Sequence, residues 1–193
     1  MGQVAHFVRR HAWIRSASET TLLILLMTLV IHVALQNFHI QGQSMEPTLH
    51  NQEYILVDKA SYLLRPPARG DIIVFQYPLN PQQDYIKRII AVPGDIISVE
   101  DQTITVNGVR LQEPYINQDN LYNPYPPFNK HIVGPEEYFV MGDNRGDSSD
   151  SRQWGLVPRE NIIGRAAFVY WPIGVDNFGI LPDISHVFKQ IHP

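Results

Sequence analysis

Tyr85-Ile86-Lys87-Arg88-Ile89-Ile90-Ala91-Val92 is rich in β-branched residues and reads as a strand. In that conformation Tyr85, Lys87, Ile89 and Ala91 share one face, and Ile86, Arg88, Ile90 and Val92 share the other. Both faces are mainly apolar, so the strand is expected to be buried on both sides of a sheet.

Period-2 patterns and short apolar runs continue on either side of it. They predict strands at Tyr54–Asp58, Asp71–Tyr77, Ile96–Glu100, Thr103–Val106, Val109–Leu111, Tyr138–Met141 and Ile162–Trp171. Pro66-Pro67, Arg69-Gly70 and Pro93-Gly94-Asp95 punctuate them. Asn107-Gly108 between two short runs is a two-residue hairpin signal. No long amphipathic helix follows residue 40. The expected fold is mainly β, built of short, coiled antiparallel sheets. Residues 117–130, NQDNLYNPYPPFNK, read as an irregular loop, either a solvated insertion or a functional segment. Ile184, Val187, Phe188 and Ile191 have helical spacing; packing on the domain is favoured over resting on a membrane.

Residues 22–35 read LLILLMTLVIHVAL, a run that extends from Ala17 to Phe38 if Thr20, Thr21, Gln36 and Asn37 are tolerated. A spanning helix needs about 20 mainly apolar residues, so this run is short, and it carries His32. A buried core helix, a cleaved signal peptide and an uncleaved anchor compete. The following Ile40-Gln41-Gly42-Gln43-Ser44 offers no clear small-x-small cleavage site. The flanks favour the anchor. Residues 1–19 hold Arg9, Arg10 and Arg15 against Glu19, whereas residues 36–58 hold no Lys or Arg and carry Glu46, Glu53 and Asp58. The positive-inside rule then divides the chain into a cytoplasmic segment 1–19, a single transmembrane anchor 20–36 and a β-domain 37–193 across the membrane.

Composition narrows the function classes. In 193 residues, 44% hydrophobic and 18% charged content argues against extended disorder. A net charge of -4 argues against nucleic acid as a partner. With no cysteine there is no disulfide framework, thiolate zinc site or cysteine nucleophile. The eight histidines form no HExxH motif and no i, i+4 pair. The acidic stretch Asp143–Asp150 fails as a calcium loop, because Arg145, Ser148 and Trp154 occupy positions 3, 6 and 12. No phosphate-cradling glycine motif occurs. Neither a metal nor a cofactor is expected.

Two segments carry candidate chemistry. Ser44 lies between Gly42 and Pro47 in Gln41–Leu49, just past the apolar run. It reads either as a turn residue or as a serine held exposed on a loop, and Glu46 rules out a GxSxG elbow. Lys87 is one of four lysines and points into apolar company. It either runs its stem along the sheet with its head in water, or it is buried with a lowered pKa. A neutral amine beside a serine hydroxyl is a competent general base.

Taken together, the ordered segments resemble type I signal peptidase, the membrane-bound serine protease family that removes signal peptides from exported proteins. An N-terminal anchor precedes Ser44-Met45-Glu46-Pro47-Thr48-Leu49. Arg69-Gly70-Asp71-Ile72-Ile73-Val74-Phe75, then Tyr85-Ile86-Lys87-Arg88 with Val92-Pro93-Gly94-Asp95, and finally Met141–Arg152 follow in family order. The compact length is similar to the shorter bacterial forms, including those of Gram-positive bacteria and cyanobacteria.

The resemblance implies a catalytic β-domain with Ser44 as nucleophile, Lys87 as general base and Ser148 as the hydroxyl that orients the amine. It implies that Asp143, Arg145, Asp150 and Arg152 brace the site and that Met45 lines the substrate cleft. Some relatives carry a serine at the position of Gly42, whose hydroxyl helps form the oxyanion hole; here the hole is left to backbone N–H groups, chiefly that of Ser44. The implied partners are signal peptides cut after small residues (Ala-x-Ala type), the lipid bilayer and a neighbouring secretion translocon. The implied place is a bacterial plasma or thylakoid membrane with a cytoplasmic N-terminus. A Ser–Lys self-cleaving regulator, a hydrolase pairing Ser44 with His50 or His131, and a non-enzymatic membrane-anchored β-domain are the rival readings.

Overall fold

The computed structural model describes residues 2–116 and 127–192, with side chains from Ser16 onward. Helix α1, Gly2–Ala34, contains a stretch Ser16–Ala34 long and apolar enough to cross a membrane. None of that stretch is buried against the rest of the protein, which excludes the core-helix reading. Thr20, Thr21 and Thr28 return their hydroxyls to carbonyls one turn back, so these three polar groups are satisfied within the helix.

The chain then turns directly into sheet. The strands are β1 Leu35–His39, β2 Tyr54–Asp58, β3 Ile72–Tyr77, β4 Asn80–Ala91, β5 Ile96–Glu100, β6 Thr103–Val106, β7 Val109–Arg110, β8 Phe128–Ile132, β9 Glu137–Met141, β10 Val157–Pro158, β11 Ile162–Trp171 and β12 Gly179–Ile180. Short helices α2, Ser61–Leu64, and α3, Ser151–Trp154, interrupt them. The larger sheet has the order β1-β2-β11-β3-β4-β9-β10, with β12 on β11; the smaller has the order β7-β6-β5-β8. Every pairing among the described residues is antiparallel. The mainly β expectation holds, and β2, β5, β6 and β11 have the predicted bounds.

Three differences are physical. The predicted anchor included Leu35 and Gln36, but these open β1, because the outer edge of β2 offers them a register from Leu35↔Asp58 to His39↔Tyr54. Strand β4 begins at Asn80, ahead of its apolar half; its first residues are exposed and only Lys87–Ala91 is fully buried. Strand β8 takes Phe128, Asn129 and Lys130 from the predicted loop, and residues 117–126 of that loop lie outside the described residues.

Strand β4 is the hinge of the core. Ile90 and Ala91 join the apolar cluster between the two sheets, Ile86 borders the cluster of Ile55, Val57 and Val74, and Ile89 joins that of Ile73, Phe75 and Val140. A register irregularity between Ile89 and Ala91 lets one strand serve several clusters. The tail resolves in favour of packing: Ile184, Phe188 and Ile191 are buried in the cluster between the sheets.

Candidate active site

Ser44 sits on an excursion between β1 and β2. Its mouth is closed by Ile40 N–H to Glu53 O at 2.8 Å and Gln52 N–H to Ile40 O at 2.9 Å. Inside, Leu49 N–H donates to Met45 O at 3.0 Å, and both side chains are buried. A tight turn that sinks residue 45 into the core presents residue 44 outward. Met45 is therefore 1% exposed in the cluster with Ile40, Ile55 and Val57, behind the cleft wall and not in its lining as expected. Gly42 adopts φ of 103°, a left-handed conformation that side chains resist, and its N–H is held by Asn51 Oδ1 at 3.0 Å. The Ser44 N–H makes no hydrogen bond among the described residues.

Lys87 arrives from β4. It is 4% exposed, and its Nζ donates to Ser44 Oγ at 2.7 Å and to Ile86 O at 2.9 Å. Burial lowers the Lys87 pKa to about 8; the Asp150 and Asp143 carboxylates pull it back up in part, and Arg152 pushes it down. The snorkelling reading fails, because the head of the side chain is buried with its stem. The ring of Tyr85 flanks the amine, 5.4 Å from its centre.

Ser148 does not meet the lysine. Its Oγ is buried without a hydrogen-bond partner among the described residues, while Nζ is taken by Ser44 and Ile86. Gly142 explains how close it nevertheless lies: a methyl group there would collide with Ser148 Oγ and with Ser44 O at once.

The remaining residues of the 141–152 segment form a buried charged frame. Asp150 is paired by Arg152 Nε and Nη2, both at 2.7 Å, and it accepts the Gly142 N–H at 3.1 Å. Asp143 pairs with Arg88, not with Arg145; Arg88 Nε and Nη2 reach it at 2.8 and 2.5 Å. Thr48 Oγ1 donates to the same carboxylate at 2.6 Å, which ties the serine turn to β4. Arg145 instead grips Glu113 through Nη1 and Nη2 at 2.6 and 2.5 Å. Asn144 closes the frame onto the turn, with its N–H on Ser44 O at 3.0 Å and Nδ2 on Gln43 O at 3.1 Å. Buried charges persist only when paired in this way. Sequence reasoning missed Arg88, Thr48 and Glu113. The one local signal was Arg88 itself, a cation in a strand otherwise apolar on both faces.

The serine and lysine open into a cleft of about 640 Å³ with apolar walls that include Phe38, Ile40, Ile55, Val74 and Ile86. Strand β4 pairs with β9 only from Arg88 to Ala91, so among the described residues its Gln83–Lys87 edge is left unpaired along that cleft. His50 and His131 do not line it. One row of paired residues, Leu35, Asp58, Arg165, Ile73 and Lys87, crosses the sheet from the end of α1 to the amine. At the usual strand spacing those four steps span about 19–20 Å.

Several known proteins that this chain is similar to share one description. The signal peptidase family, peptidase S26, matches residues 13–171. A probable signal peptidase I-2 from Synechocystis sp. is 42% identical over 150 residues, 75% of this chain and 66% of that protein, so the match falls just short of two thirds of this relative. A signal peptidase I from Leptolyngbya laminosa is 41% identical, covering 70% of this chain and 68% of that protein. Signal peptidase IB from Staphylococcus aureus is 33% identical, covering 76% and 83%. The chain belongs to the signal peptidase family of serine endopeptidases, peptidase S26.

Proposed function

We propose that this chain removes signal peptides from exported preproteins by a Ser44–Lys87 dyad. The observation that carries the reading is the 2.7 Å contact between Lys87 Nζ and Ser44 Oγ at a buried amine whose pKa is lowered to about 8. In its neutral form Lys87 accepts the Ser44 proton as Oγ attacks the scissile carbonyl. The Ser44 N–H, which bonds no described residue, receives the oxyanion in this reading. The protonated amine then gives its proton to the leaving amine, and the peptide bond breaks. Water, deprotonated by Lys87, attacks the acyl-enzyme, and the proton returns to Ser44 as the new carboxyl group is released.

An extended substrate fits beside the unpaired edge of β4, with its backbone satisfied as an added strand. Small apolar residues at the cut suit the apolar walls of Phe38, Ile40, Ile55, Val74 and Ile86. Ser148 adjoins the serine through Gly142, and the Asp143, Arg145, Asp150 and Arg152 pairs fix the two loops against each other. Helix α1 serves as the anchor of a bacterial plasma or thylakoid membrane, with residues 37–193 on the far side and the translocon nearby. That tether raises the local concentration of membrane-held substrates without new contacts. A Ser–His hydrolase is disfavoured because His50 and His131 stand away from the cleft, while His39, which lines it, bonds Gln52 and leaves Ser44 Oγ to Lys87. The membrane-length apolar helix that leads directly into β1 disfavours the self-cleaving regulator.

Cleavage of a preprotein with an Ala-x-Ala site by the detergent-solubilised full chain tests the reading. Ser44→Ala and Lys87→Ala, each with unchanged circular dichroism, are expected to lose at least about a hundredfold in activity. Full activity in Lys87→Ala overturns the dyad, and full activity in Ser44→Ala overturns the serine mechanism.

A further inference from the structure

Away from the cleft, a cavity of about 360 Å³ is lined by Arg65, Arg69, Arg165, Asp71, Asp183 and Ile180, among others. Two of the arginines are already matched. Arg65 forks onto Asp71 at 2.8 and 3.0 Å, and Arg69 reaches Asp95 through Nε at 2.7 Å. The acids are matched as well. Asp71 also accepts from Tyr62 Oη at 3.1 Å and the Ala68 N–H at 3.0 Å, and Asp183 accepts the Ser185 N–H at 2.8 Å. Asp58, beside Arg165 in the sheet, is held by the Ser61 N–H at 3.0 Å and by the Ser61 hydroxyl. The Arg165 guanidinium is left with no hydrogen bond or ion pair among the described residues, and its Nε is buried without a partner. Asp58 and Asp183 stand near enough to feel its charge, but neither takes its donors, and such an unfilled fork in a cavity matches the geometry of a doubly coordinating oxyanion.

Location selects the source of that oxyanion. Arg165 is two strand steps from Leu35, which follows α1 directly, so its backbone lies about 10 Å from the end of the apolar helix. Ile180 from its lining, and Leu63 and Leu64 just before Arg65, are 84%, 85% and 91% exposed. Aliphatic groups beside a guanidinium with unfilled donors, next to a membrane-length helix, match acyl chains beside a charged headgroup. We propose that this cavity binds the phosphate group of an anionic phospholipid on Arg165. The inference rests on reading α1 as the membrane anchor and is independent of the Ser44–Lys87 assignment.

Native mass spectrometry of the full chain in dodecyl maltoside tests it, with dioctanoyl phosphatidylglycerol as the probe. Wild type is expected to retain the lipid, Arg165→Gln to bind it at least about tenfold more weakly, and Arg165→Lys to fall between. Equal binding by wild type and Arg165→Gln overturns the proposal. So does equally tight binding of dioctanoylglycerol, which has no phosphate. Displacement of the lipid by an equal concentration of inorganic phosphate overturns the lipid as source and leaves a site for soluble anions. Preprotein cleavage by the same samples separates the two readings, since retained cleavage with no lipid binding counts against this cavity alone.

Discussion

Lys87 Nζ and Ser44 Oγ stand 2.7 Å apart although 43 positions separate them in the chain. The two residues approach because independent restraints hold each: β4 is buried from Lys87 onward, and the serine turn is pinned by Leu49 and Met45 below it and by Thr48 and Asn144 at its sides.

The first prediction concerns pH. The neutral amine is the reactive form, so kcat/KM rises about tenfold per pH unit below the Lys87 pKa and levels above about 8. Stability follows the same group. The folded amine titrates near 8 and the unfolded one near 10.5, so between these values the unfolded chain binds the extra proton and stability increases with pH. Below that window the buried ammonium costs about 3 kcal/mol. Urea unfolding of Lys87→Met and wild type is expected to favour the variant at pH 7, with the gap closing as pH rises toward 10.5. A gap independent of pH would contradict the burial argument.

Gly142 leads to a second prediction. A methyl group there would strike Ser148 Oγ and Ser44 O and lie 2.7 Å from Ser148 Cβ. Overpacking of this kind costs about 1–3 kcal/mol and forces a shift. Since the atoms that must move belong to the nucleophile and its neighbour, Gly142→Ala is expected to lower kcat more than it raises KM. Steady-state cleavage kinetics with a thermal melt distinguish this from simple unfolding.

The buried fork of Arg88 on Asp143 yields a third. Removing one partner, as in Arg88→Ala, strands a buried charge and costs about 3–5 kcal/mol. Replacing both, as in Arg88→Met with Asp143→Leu, is expected to restore much of the stability. It does not restore activity, because Thr48 loses the carboxylate that ties the serine turn to β4. Chemical denaturation and cleavage assays on the single and double variants measure the two effects separately; recovery of both would show that the pair is merely structural.

The fold was legible wherever burial wrote a pattern. Strands β2, β5, β6 and β11 alternate or run apolar between turn signals, and their ends coincide with those read from the residues. Leu35-Gln36-Asn37-Phe38-His39 has neither pattern; it is a strand because β2 offers it an edge, a long-range cause. The same divide runs through the site. Ser44 and Lys87 stand out against their local surroundings. The pairing of Arg88 with Asp143 and of Arg145 with Glu113 joins residues 55 and 32 positions apart, so no local spacing encodes it. Met45 misled for a related reason, since adjacency to an exposed serine in a turn means facing the core.

The C-terminal tail provides the last prediction. Phe188 is 5% exposed, and the hydrogen of Gly70 faces its ring: a Cβ there would lie 3.2 Å from Phe188 Cε2. Asn107 Nδ2 holds His192 O at 2.8 Å, which fixes the end of the tail beside Asp95. The Gly70 carbonyl in turn accepts from Arg88 Nη1 at 2.9 Å, so the tail packs directly behind the residue that braces Asp143. Phe188→Ala removes a buried ring, at a cost of about 3–5 kcal/mol, and loosens Gly70. Both the unfolding midpoint and the cleavage rate are therefore expected to fall in detergent, where no bilayer is present. Asn107→Ala leaves the ring in place but gives up three side-chain hydrogen bonds at a residue with φ of 51°, so it is expected to cost about 2–4 kcal/mol and to keep activity. A tail that rested on the membrane instead would leave the detergent-solubilised stability of Phe188→Ala unchanged.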